Sequence, residues 1–145
     1  ILAPKIAKSF HNKDFAETLS LKQNSIKIIF FSTLPIILLL TFFPKFFLLF
    51  LGEEFLNAKD SLLILLIGQF ITSIIGPVGL ILQMIGKEVI FQKLVLIALI
   101  FNIILNLILI PILGINGAAI ASVISLLIWN ISAHFNLNKT IKTAL

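Results

Sequence analysis

The chain has 145 residues, 59% of them hydrophobic and only 12% charged, with a mean hydropathy of +1.17. A soluble domain carries roughly 25% charged residues and a disordered chain is polar, so both classes are excluded and a bilayer is the solvent that fits. Eleven Lys, no Arg and six acids leave a formal charge of +5. In a membrane chain this reads as basic loops on one side; without Arg for base edges and phosphates it does not read as nucleic-acid binding.

A membrane-spanning helix needs about 20 mostly apolar residues. Residues 1–24 do not qualify, because Pro4, Lys5, Lys8, His11, Lys13, Asp14, Glu17 and Lys22 interrupt Ile6, Phe10, Phe15, Leu19 and Leu21. They are expected to be the end of an upstream helix followed by a cytoplasmic interfacial segment, with a turn at Asn12-Lys13-Asp14. The chain opens on Ile1 and holds one Met, Met84, so a piece of a longer polypeptide is expected, its N-terminal part lying upstream.

Four apolar stretches follow. The first, 25–51, contains Pro35 and has Pro44-Lys45 near its far end; the second, 61–85, has no charged residue; the third, 89–113, carries Lys93 in its first turn; the fourth, 115–137, leads into a tail. The connectors are 52–60, 86–88 and Gly114. Links this short make successive helices antiparallel. The apolar runs are continuous, without the alternation of a membrane barrel. The expected fold is therefore all-α integral membrane, four antiparallel transmembrane helices plus an N-terminal interfacial segment.

The lysines sort with that topology. Lys5, Lys8, Lys13, Lys22, Lys27, Lys87, Lys93, Lys139 and Lys142 fall on one side, and Lys45 and Lys59 on the other. The positive-inside rule then places the leading segment, the Gly86 loop and the C-terminus in the cytoplasm.

Polar residues inside spans mark function or helix contacts. Gln69, Thr72, Ser73, Gly76 and Gln83 share one helical face of the second span, at spacings near three, four and seven. They either line a hydrated cavity or hydrogen-bond between helices. Gly76, Pro77 and Gly79 sit mid-span as a candidate hinge, or as a static kink. Asn102 and Asn106, one turn apart in the third span, either meet sugar hydroxyls or join two helices. Gly117, Ala121 and Ser125 repeat every four residues, a stripe that lets helices approach closely. Trp129 and His134 sit near the cytoplasmic interface, where His134 is an anchor or part of a proton relay. Lys45 is a snorkelling anchor or a phosphate contact. Glu53, Glu54 and Asp60 are expected to be solvated. No catalytic constellation, cofactor motif or metal-ligand cluster occurs, and zero Cys removes disulfides and thiolate chemistry.

Several stretches, in order, resemble one family. Ala3-Pro4-Lys5-Ile6-Ala7 is similar to the exit from a preceding helix of polysaccharide flippases. Gly52-Glu53-Glu54-Phe55 with Ala58 resembles their outer loop. Gly76-Pro77, Gly79, Leu82-Gln83 and Gly86-Lys87 resemble the next helix and its cytoplasmic turn. Asn102, Leu105-Asn106, Leu109-Ile110-Pro111, Gly114-Ile115 and Gly117-Ala118-Ala119 with Ala121 form the strongest stretch. The family is the Wzx-like polysaccharide and O-antigen flippases of the multidrug/oligosaccharidyl-lipid/polysaccharide exporter superfamily.

The resemblance implies the last four helices of a two-lobed transporter in the bacterial plasma membrane. Such proteins move an undecaprenyl-diphosphate-linked oligosaccharide from the inner to the outer leaflet by alternating access, with no enzyme chemistry and no cofactor. The implied partners are the bilayer, the lipid-linked oligosaccharide and the upstream part of the chain. Cavity Arg or Lys residues that hold the diphosphate in such proteins have no counterpart mid-span here and are expected upstream. The competing expectations are a cation-coupled drug or lipid II exporter and, in another class, a membrane glycosyltransferase, polymerase or structural membrane protein. The short outer loop, 52–60, disfavours the enzymes.

Overall fold

A computed structural model describes residues 2–144. Seven α-helices follow one another: α1 (Leu2–His11), α2 (Phe15–Phe42), α3 (Pro44–Leu51), α4 (Lys59–Ile75), α5 (Val78–Met84), α6 (Glu88–Leu113) and α7 (Ile115–Ala144), with a 3-10 segment, Glu53–Ala58, ahead of α4. The described residues contain no strand. Four stretches are long and apolar enough to cross a membrane: Phe15–Phe42, Glu53–Ile75, Glu88–Leu113 and Ile115–Thr143. The chain is thus all-helical, with the composition and helix lengths of a multi-pass membrane protein.

The helix limits depart from the expected spans where capping overrides hydropathy. The segment expected at the interface, through residue 24, runs straight into the first span from residue 15. Asp14 caps that helix by accepting the Glu17 N–H at 2.9 Å, and the preceding turn contains Lys13 at φ 60°. The helix stops at Phe43 (φ −122°, ψ 44°) because a residue before proline is pushed out of the α region, and Pro44 then starts α3. The fourth helix continues past residue 137 to Ala144. Nor does α1 simply lie on a surface: Ile6 is 1% exposed in the main core, with Val78, Ile81, Leu82, Ile85, Ala133, Leu137 and Ile141. The Ser9 and Thr18 hydroxyls, 3.0 Å apart, tie α1 to α2.

Paired residues define the winding. Ile26 opposes Gly76 and the Phe30 ring lies 6.0 Å from Phe70, so α2 and α4 are antiparallel. Leu109 opposes Gly117 and the Phe91 ring lies 5.6 Å from Trp129, so α6 and α7 are antiparallel. Ser61 Oγ donates to Asn116 Oδ1 at 2.6 Å and Gly68 faces Val123, so α4 and α7 run parallel. The helices therefore form a row, α2–α4–α7–α6, with α7 touching both α4 and α6. This winding gathers nine lysines at the end that holds α1, α5 and the close of α7, and leaves Lys45 and Lys59 at the other. The flanks are apolar and uncovered: Phe31, Leu38 and Phe42 on α2, and Ile100, Leu107 and Ile112 on α6, are exposed. In water such a surface would aggregate; in hydrocarbon it is the expected exterior.

Candidate functional site: the interrupted second span

The stretch expected to be one helix over 61–85 is two helices. α4 stops at Ile75, and α5 begins at Val78. Pro77 has no N–H to give the Ser73 carbonyl. The Val78 N–H turns instead to the Gly76 carbonyl at 2.9 Å, closing an inverse γ-turn about Pro77 (φ −83°, ψ 51°). The Ile74 carbonyl thereby loses its helical donor as well. Gly76 adopts φ 83° and ψ −169°, a region that is essentially glycine-only, and a β-carbon there would run into Ile26 of α2. Gly79 is buried, and a β-carbon on it would come within 2.6 Å of the Phe91 ring. The candidate hinge is thus a true break in the helix, held on both sides by packing.

A groove of about 210 Å³ opens beside the break. Gln69, Thr72, Ser73, Gly76 and Pro77 line one wall, Leu126, Trp129 and Asn130 of α7 the other, and Ile29 of α2 its edge. Thr72 Oγ1 donates to the Gln69 carbonyl at 3.0 Å, Ser73 Oγ to the Phe70 carbonyl at 2.7 Å, and Asn130 Nδ2 to the Leu126 carbonyl at 2.9 Å. With their protons committed to their own helices, the hydroxyls act as acceptors toward the groove. The exposed Gln69 amide, which can donate and accept, completes a polar patch inside an otherwise apolar bundle.

Three expected members of the site lie elsewhere. Gln83 falls beyond the break, which resets the helical phase; it is exposed and donates to the Gly79 carbonyl at 3.2 Å. It does not share the face of Gln69, Thr72 and Ser73. Asn102 and Asn106 bond to one another: Asn106 Nδ2 donates to the Asn102 carbonyl at 2.9 Å and to its Oδ1 at 3.0 Å. They line a shallow groove with Ile103, Leu107, Ile110 and Pro111, all from α6. Because α7 separates α6 from α4, the two polar strips do not face a common space within this chain.

The Gly117, Ala121 and Ser125 stripe is buried along α7. Gly117 packs directly on the Leu109 carbonyl of α6, and Ser125 Oγ donates to the Ala121 carbonyl at 2.8 Å. The contact of α7 with α4 has a close approach of its own at Gly68, which hydropathy and spacing do not reveal; a β-carbon there would come within 2.7 Å of Val123 Cγ2. A second polar line is also new at the level of structure. The Lys22 ammonium donates to Asn138 Oδ1 at 2.7 Å, and Asn138 Nδ2 lies 2.9 Å from His134 Nε2, while His134 Nδ1 is buried without a hydrogen-bond partner. Its sequence signal is a recurrence every four residues, Asn130, His134 and Asn138, which makes one polar stripe down α7.

Lys45 and Lys59 share one groove at the opposite end with Thr41, Phe42 and Phe46. Among the described residues no three His, Asp or Glu side chains gather as metal ligands. Comparison with protein-family models, with curated proteins and with solved structures yields no match.

Proposed function

We propose that this chain is the closing four-helix part of a two-lobed exporter that carries a lipid-linked oligosaccharide across a bacterial plasma membrane. The observation that carries the reading is the interruption at Gly76-Pro77, which lies not mid-span but where the apolar span Glu53–Ile75 ends and the chain turns into the buried core: irregular backbone beside hydrocarbon is tolerated only where it is buried in protein or lines a wet cavity, and here a polar groove adjoins it. Transporters place broken helices at their substrate sites for this reason. The ordered stretches that resemble polysaccharide flippases supply the substrate class. In this reading Gln69, Thr72, Ser73 and Asn130 meet sugar hydroxyls. Asn102 and Asn106 line a separate face turned toward the remainder of the protein. The nine-lysine end, with the C-terminus, is cytoplasmic, and the diphosphate is held by residues outside this chain.

The test is complementation. The full-length protein, expressed in cells lacking their own flippase, restores surface glycan; continued accumulation of lipid-linked units on the inner leaflet overturns the reading.

One observation favours a second reading, a cation-coupled exporter. The Ser73 and Ile74 carbonyls freed by the break, beside the Thr72 hydroxyl, form the oxygen-rich end of a half-helix that suits a small cation. Sodium-dependent drug resistance without glycan rescue would select it.

A further inference from the structure

A broad groove lies at the nine-lysine end, between the start of α2 and the close of α7. It measures about 580 Å³ and is lined by Leu19, Phe135, Asn138, Lys139, Lys142 and Thr143, among others. Asn138 and Lys139 lie three and four residues after Phe135, and Lys142 lies four and three after them, so all four share one face of α7. Lys139 and Lys142 are exposed. Behind them Lys22, only 8% exposed, gives one proton to Asn138 Oδ1. An ammonium has three donors.

The depth of the groove is set by the helices. At 1.5 Å per residue, about 20 residues cross the roughly 30 Å hydrocarbon layer. Counting from Ile115 at the far end, that layer closes near Phe135. Counting back along α2 from Phe42, it closes near Lys22. Leu19, Asn138, Lys139 and Lys142 therefore lie at headgroup level, while Phe135 lies at the top of the acyl chains. The C-terminal carbonyls of α7 carry partial negative charge, so the attraction for an anion comes from the lysines, not from the backbone.

We propose that this groove is a binding site for one anionic phospholipid of the adjoining leaflet. Lys139 and Lys142 contact the headgroup phosphate, the second N–H of the Asn138 amide donates to its oxygens, Lys22 supplies a buried countercharge behind Asn138, and Leu19 and Phe135 carry the first part of the acyl chains. Basic pockets between membrane helices recognise lipid headgroups in this way. The proposal stands on the membrane-spanning helices and the groove, and is independent of what the protein transports.

The experiment is native mass spectrometry of the full-length protein released from micelles containing equal amounts of phosphatidylglycerol and phosphatidylcholine. The wild type retains one phosphatidylglycerol in preference. With roughly a fivefold contribution per lysine, the K139Q/K142Q variant loses about twenty-five-fold of that preference. A K45Q/K59Q variant, which makes the same change in net charge at the other end, keeps it. Unchanged preference in K139Q/K142Q, or equal loss in both variants, overturns the site. Displacement of the lipid by an equal concentration of inorganic phosphate also overturns it, because the groove would then read a free anion and not a lipid.

Discussion

Gly117 of α7 rests on the backbone carbonyl of Leu109 in α6, with no room for a β-carbon between them. The contact brings the two helices together just after the Gly114 turn. Apolar side chains gain little from one another in lipid, so close backbone approach of this kind carries helix association there.

Gly117→Ala therefore forces α6 and α7 apart and lowers stability by about 1–3 kcal/mol, the usual range for overpacking. Gly86→Ala provides the contrast. Gly86 has φ 74°, in the left-handed turn that closes α5 with the Lys87 N–H on the Leu82 carbonyl, and a β-carbon on it would meet nothing within 4 Å, so only backbone strain of roughly 1 kcal/mol applies. Thermal unfolding in detergent should rank Gly117→Ala well below Gly86→Ala; equal midpoints would dismiss the close contact.

Gly76→Ala meets both penalties at once, a glycine-only backbone and a collision with Ile26. Ile26→Ala in the same chain relieves the collision and leaves the strain, of about 1–3 kcal/mol, so rescue should be partial. Pro77→Ala should stay within about 1 kcal/mol of wild type, because Val78, Ile81 and Leu82 remain locked in the core. Full rescue of Gly76→Ala by Ile26→Ala would mean that the backbone at Gly76 is not strained.

Much of this is legible in the chain. The four apolar stretches, the turn at Asn12-Lys13, the small-residue stripe on α7 and the importance of Gly76-Pro77 follow from hydropathy, spacing and the chemistry of proline. Hydropathy alone does not separate α4 from α5, because Val78, Gly79, Ile81 and Leu82 are as apolar as a helix that spans lipid. What divides them is the backbone demand of Gly76-Pro77. The place of Gln83 is lost for the same reason, since a face defined by periodicity ends where the helix does. Residues 15–24 look interfacial because they are polar, yet a capped helix carries polar residues readily at its first turns. Gly68 and Asn138 are not legible individually, since each acquires its meaning from a partner far along the chain, Gly68 facing Val123 and Asn138 receiving Lys22.

Lys22 and Asn138 should be energetically coupled. Lys22→Met leaves Asn138 Oδ1 without its donor and costs about 1–3 kcal/mol. Asn138→Leu strands the ammonium at a similar cost. The double variant should be less destabilised than the sum, with an interaction energy of at least about 0.5 kcal/mol. Strict additivity in denaturation would show that the 2.7 Å contact contributes nothing.

In the complemented cells, Gln69→Leu should cut glycan export severalfold at normal expression, while Gln83→Leu, outside the groove and bonded to its own helix, should leave export near wild type. The reverse order would move the transport path to the far side of the break.

Whether the groove beside Gly76-Pro77 holds water is the question on which the functional reading turns. The chain has no cysteine, so single cysteines can be placed at Gln69 and Asn130, and at Leu107 on the exposed flank of α6, in membranes containing the full-length protein. A small water-soluble thiol reagent should label the cysteines at 69 and 130 and spare the one at 107. Protection at 69 and 130 equal to that at 107 would mean a dry, purely structural break, and the transport reading would fall with it.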